Sequence, residues 1–119
     1  MQTLQVELGE RTYPIHIGQG LLRDADLLVT VLAQPRVVIV TNTTLAQLHL
    51  RSLANALEAR GIGVLNITLP DGEEYKNGAT LNLIYDALLQ NRAERNTTLL
   101  ALGGGVIGDL TGYAAATYL

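Results

Sequence analysis

The sequence predicts an α/β fold, a mostly parallel sheet flanked by helices and preceded by an N-terminal β-hairpin. Three observations carry that expectation. β-branched runs are of the kind buried on both faces of a parallel sheet, apolar residues between them recur at helical spacing, and one strand runs into three glycines and then a helix. With 48% apolar and 16% charged residues over 119 positions, the chain suits one packed domain spanning 1–119.

The elements follow in order. Leu4, Val6 and Leu8 alternate with Gln5 and Glu7, Gly9-Glu10-Arg11 turns the chain, and Tyr13-Pro14-Ile15-His16-Ile17 returns as a second strand. From Gly20 to Leu32, the spacing of Leu21, Leu22, Ala25, Leu28, Val29 and Leu32 predicts a helix. Arg36 to Thr41 reads as a buried strand, and Asn42-Thr43-Thr44 supplies N-cap chemistry for a helix carrying Ala46, Leu50, Leu53 and Leu57. Gly61 and Gly63 stop that helix and Val64 to Leu69 is strand-like. After the break at Pro70-Asp71-Gly72, Leu81, Ile84, Tyr85, Leu88 and Leu89 mark an amphipathic helix, and Thr97 to Leu102 forms the last strand. The apolar segment Gly112 to Leu119 is helix-like and lacks a stop signal, which suggests an element interrupted by the end of the chain and a longer parent protein.

In a parallel sheet, ligands sit outside the carboxyl ends of the strands, here Thr41-Asn42, Pro70 to Glu73 and Gly103 to Gly105. The glycines are expected to take positive φ and to let an anion approach the backbone at a helix start. Gly103-x-Gly105-x-x-Gly108 satisfies the dinucleotide fingerprint, although the loop follows the last strand rather than the first, unlike a simple Rossmann half. A structural role, tight turning and close helix packing, accounts for one or two of the three glycines. Asp109 suits the first turn of a helix, and a carboxylate there must face a sugar, nicotinamide or hydroxyl rather than a phosphate. Lys76, the only lysine, follows Asp71, Gly72, Glu73, Glu74 and Tyr75 on the same rim. The acids can cap a helix or accept from ribose hydroxyls, whereas a cation at a helix start has no such structural role.

A net charge of −3 with scattered arginines leaves no basic stripe for nucleic acid, and no apolar run reaches the length of a membrane span. The absence of cysteine excludes disulfides and thiolate metal sites, and His16 and His49 lack metal-ligand spacing. The N-terminus carries no signal-peptide pattern, so a cytoplasmic location is expected.

Leu69-Pro70-Asp71-Gly72-Glu73-Glu74-Tyr75-Lys76, followed by Ala101 to Ala115 with its Gly103-Gly104-Gly105-Val106-Ile107-Gly108-Asp109 core, resembles the N-terminal domain of the 3-dehydroquinate synthase family. Leu8-Gly9-Glu10-Arg11, Tyr13-Pro14-Ile15 and Val40-Thr41-Asn42 extend the resemblance to essentially the whole chain. The resemblance implies a Rossmann-like domain whose second, helical domain is absent here. It implies an NAD-dependent lyase of the shikimate pathway, converting 3-deoxy-D-arabino-heptulosonate 7-phosphate to 3-dehydroquinate and phosphate in aromatic amino acid biosynthesis. NAD is not consumed there, because hydride removed from a substrate hydroxyl is later returned.

Carried onto this sequence, the resemblance makes Asp71, Gly72, Glu73, Glu74, Tyr75 and Lys76 NAD contacts, together with Gly105, Val106, Ile107, Gly108 and Asp109. Gly104 and Asn42 are additions. Glu73 resembles a ribose ligand, Lys76 a polar anchor, Gly104 to Val106 the flank of the pyrophosphate, and Asp109 a neighbour of the nicotinamide. The family's metal ligands, one glutamate and two histidines holding zinc or cobalt, and most of its substrate-binding residues fall beyond Leu119. The isolated chain is therefore expected to be inactive, with no catalytic residue assigned within it, and the full-length protein to be a homodimer acting on a small molecule. The alternatives are a related metal-dependent polyol or glycerol-phosphate dehydrogenase, an inosose-type cyclase, or a non-enzymatic nucleotide-binding module.

Overall fold

The computed structural model describes residues 1–118. β1 (Gln2–Val6) and β2 (Tyr13–Ile17) form an antiparallel hairpin whose Leu4↔Ile15 and Val6↔Tyr13 pairs share one face. This two-stranded sheet is separate from the main one. A one-turn 3₁₀ segment, Gly9–Arg11, closes it, with Gly9 at φ +66°.

The stretch expected to be one helix from Gly20 to Leu32 is broken instead. A 3₁₀ turn covers Leu21–Arg23, Asp24 adopts φ −95°, ψ 79°, and α1 spans only Asp26–Val29. The apolar spacing nevertheless marks most of the packed side, since Ala25 is fully buried and Leu22, Leu28, Val29 and Leu32, partly buried, pack on the same cluster, whereas Leu21 lies outside it. Two short turns separated by the extended Asp24 thus bring most of that set onto the core.

β3 (Arg36–Asn42) is the spine of the molecule. Its valine and isoleucine side chains Val37 to Val40 are completely buried, because β4 (Gly63–Leu69) pairs with it on one side and β5 (Thr98–Leu102) on the other, both parallel. Period-2 alternation sends Val38 and Val40 to one face and Val37 and Ile39 to the other. The second face is covered by a helical run made of α2 (Thr43–Leu45), a π-helical turn (Ala46–Leu50) and α3 (Arg51–Glu58), through Leu53 and Leu57. The first face is covered by α4 (Gly78–Gln90) and α5 (Gly105–Thr117), through Ile84, Leu88, Ile107, Leu110 and Ala114. Leu89, expected on the apolar stripe of α4, is 59% exposed and lies outside this core.

The helix-like segment near the end of the sequence is α5. It closes at Thr117, and Tyr118 leaves it in extended conformation and donates its hydroxyl to the Ala93 carbonyl at 3.0 Å. Leu119 lies outside the described residues.

The strand order β4-β3-β5 matters for function. From β3 the chain moves one strand to β4, then crosses back over β3 to β5, with its helices on opposite faces. The connections thus diverge between β3 and β5, which is where an open α/β sheet leaves a crevice for a ligand at its carboxyl edge.

Candidate nucleotide site

All three candidate loops meet at that edge. Asn42 ends β3 and is 8% exposed. Its Oδ1 accepts the Leu45 N–H at 2.8 Å, so this side chain caps the helix that follows. The buried Thr41 hydroxyl donates to the Leu102 carbonyl at 2.8 Å and locks the end of β3 to the end of β5.

The turn after β4 is shaped by its backbone. Gly72 sits at φ +134°, ψ 151°, a region that is essentially glycine-only, and its carbonyl accepts from Tyr75 N–H as the 3₁₀ turn Glu73–Tyr75 begins. Lys76 N–H then bonds Glu73 O at 3.0 Å, and Asn77 caps α4 through Thr80 N–H at 2.9 Å. Asp71, Glu73, Glu74, Tyr75 and Lys76 all remain exposed on this turn. Asp71 Oδ2 accepts the Thr44 hydroxyl at 2.8 Å, which ties the β3 loop to the β4 loop.

The turn after β5 differs from the expectation in one respect. None of Gly103, Gly104 and Gly105 has positive φ; Gly104 is the N-cap of α5 in extended conformation, φ −90°, ψ −155°. A Cβ on Gly103 would lie 2.7 Å from the Ile107 Cβ, so this glycine exists to let buried Ile107 pack against the strand end. A Cβ on Gly104, Gly105 or Gly108 would meet nothing within 4 Å. The open space lies at the start of α5, where the first bond runs from Gly108 N–H to Gly104 O and no side chain caps the amides ahead of it. Ile107, with its side chain in the core, can offer a ligand only its backbone, while Val106 packs partly against the same core.

The two turns face each other. Lys76 Nζ lies 2.7 Å from Asp109 Oδ2, joining the β4–α4 turn to α5. Asp109 lies past the first turn expected for it, because α5 begins at Gly105. Hydrogen bonding and charge attraction from Asp109, then the nearby charge of Glu73, raise the lysine pKa above its ordinary value. Beneath the pair, an apolar groove of about 280 Å³ runs between α4 and α5, lined by Lys76, Asn77, Leu81, Asp109, Leu110 and Tyr113. A wider cleft of about 560 Å³ lies at the amino ends of β3 and β4, where the guanidinium of Arg36 already donates to the Asn91 carbonyl at 3.1 Å.

Among the described residues, no group of three or more His, Asp or Glu side chains is placed to hold a metal ion, and no helix is long and apolar enough to cross a membrane. The rim hydrogen bonds of Thr41 and Thr44 are what sequence reasoning missed. Their one signal was position, a hydroxyl at a strand end and another just after the N-cap.

Residues 66–119 match the model of the 3-dehydroquinate synthase N-terminal family. The 3-dehydroquinate synthase of Nitrosospira multiformis is 56% identical across 100% of this chain and 34% of its own length. That of Nitrosomonas europaea is 62% identical, over 92% of this chain and 30% of the relative. The chain aligns with the N-terminal third of the 3-dehydroquinate synthase family. It spans about a third of the length of these relatives.

Solved structures agree on the fold. 2-Deoxy-scyllo-inosose synthase, complexed with carbaglucose-6-phosphate, NAD+ and Co2+, superimposes with a TM-score of 0.80 at 20% identity over 98% of this chain and 32% of that one. ValA, the 2-epi-5-epi-valiolone synthase of Streptomyces hygroscopicus subsp. jinggangensis with NAD+ and Zn2+ bound, gives 0.77 at 28% identity over 95% and 31%.

Proposed function

We propose that residues 1–119 form the NAD-binding portion of a 3-dehydroquinate synthase, a phosphate-eliminating lyase of aromatic amino acid biosynthesis. The observation that carries this reading is the juxtaposition of bare amides at the start of α5 with the acidic Asp71–Lys76 turn, bridged by Lys76 and Asp109 at 2.7 Å. The residues present fit a dinucleotide diphosphate. The rim holds the carboxylates of Asp71, Glu73, Glu74 and Asp109 against one ammonium, so the uncapped amides of Gly105, Val106 and Ile107 are the favourable seat for an anion. The open space over Gly104 and Gly105 lets the anion reach them. The carboxylates can only accept, so Asp71 and Glu73 suit ribose hydroxyls, while Asp109 keeps the far end of the site for a neutral donor. Asn42 and Gly72 contribute shape, the first by capping, the second through its backbone.

NAD, when bound, would supply reversible hydride acceptance from a substrate hydroxyl. The relatives' remaining two thirds would carry the divalent metal, zinc or cobalt, and most of the substrate-binding residues, in a full-length homodimer. Sequence identities of 55–62% with 3-dehydroquinate synthases favour this reaction over the inosose-type cyclase, whose solved structure shares 20% identity.

Calorimetric titration of the chain with NAD, FMN and ATP tests the reading. NAD is expected to bind, with FMN and ATP weaker; a preference for either of those would overturn the assignment. The chain by itself is expected to release no phosphate from the substrate.

A further inference from the structure

We infer that Thr44 is a positioning residue that presets Asp71 to receive a vicinal diol, an inference that rests on the nucleotide reading above. Thr44 lies in the first turn of the helical run after β3, 27 positions from Asp71, yet its hydroxyl donates to Asp71 Oδ2 at 2.8 Å. The other oxygen, Oδ1, has no protein donor among the described residues. A carboxylate with one oxygen held by the protein and the other free accepts from a ligand hydroxyl without first losing rotamer freedom.

The surroundings make the arrangement directional. Asn42 Oδ1 fixes the turn that carries Thr44 by capping it at Leu45 N–H, and Asn42 itself is buried at the end of the central strand. Gly72, next to Asp71, holds its unusual φ, so the Asp71 backbone is set by β4 while its side chain is set by Thr44. The ordering therefore passes from the rigid end of β3, through one hydroxyl, to a group on a different loop. Thr44 needs no contact with the nucleotide to act.

A double-mutant cycle tests this on the chain. Thr44→Ala is expected to weaken NAD binding about tenfold, the scale of one lost charge-assisted hydrogen bond. Thr44→Ser, which keeps the hydroxyl, is expected to restore it. In an Asp71→Asn background, Thr44→Ala is expected to have little further effect, because its route runs through Asp71. An equal weakening in both backgrounds, or none in the native one, overturns the inference. Amide exchange without nucleotide separates the two readings: faster exchange at Tyr75 and Lys76 in Thr44→Ala, rescued by serine, is expected whether or not NAD binds. If the unsubstituted chain fails to bind NAD, the nucleotide reading falls alone; unchanged exchange removes the Thr44–Asp71 link itself.

Discussion

The turns after β4 and β5 lie on one rim and use glycine for opposite reasons. Gly72 is there for its backbone, held at φ +134°. Gly103 is there for space, since Ile107 occupies the volume its Cβ would need, and its backbone is not left-handed. The first turn brings charge to the rim through Asp71, Glu73, Glu74 and Lys76; the second brings none before Asp109 and leaves its amides bare. A dinucleotide needs both, because its sugars are read by acceptors and its diphosphate by donors. The letter G therefore has three meanings within one rim: a torsion at 72, a packing contact at 103, and an approach path at 104 and 105.

Substitutions separate those meanings. The largest effect is expected at Gly103→Ala, whose methyl would overlap a stiff β-branched neighbour; urea unfolding should show a loss of about 3 kcal/mol, the upper end for overpacking. Gly72→Ala should cost on the order of 1–2 kcal/mol by the same measurement, mainly from backbone strain, since the only close neighbour of the added Cβ is the flexible Glu74 carboxylate at 3.2 Å. Gly104→Ala should leave the unfolding midpoint nearly unchanged, yet weaken NAD binding at least about tenfold by calorimetry, a methyl standing where the phosphate must come. Equal stability losses at 103 and 104 would erase the distinction drawn between them.

The smallest effect concerns the bridge between the turns. The lysine pKa is raised in the folded chain, so the stabilisation from the Lys76–Asp109 pair is complete below the unfolded-state value, about 10.4, and disappears as pH rises through the higher folded value. Both side chains are partly solvated, so the effect is slight and salt-sensitive. Lys76→Met should flatten the alkaline limb of stability against pH and leave the neutral region almost unaltered.

Much of this was legible in the residues. The run Arg36 to Thr41 is β-branched and apolar in the way of a strand buried on both faces, and β3 is that strand. The rim was legible because parallel strands must present their carboxyl ends together. Torsions were less so: the spacing from Leu21 to Leu32 encodes burial but not the hinge at Asp24. The π-helical turn at Ala46–Leu50 left no periodic trace, because one extra residue in a turn scarcely alters a short apolar pattern. The Thr44–Asp71 bond was invisible for another reason, its partners being brought together only by the pairing of β3 with β4.

The hairpin carries a consequence of its own. Leu4, Tyr13, Ile15 and Ile17 crowd one face and are each 42–50% exposed, while the two strands pack almost solely against each other. A lone ribbon of this kind has little cohesion in water, so its amides should be the first to surrender deuterium protection, long before the central sheet opens. Its greasy side would be the first place where concentrated protein sticks to itself.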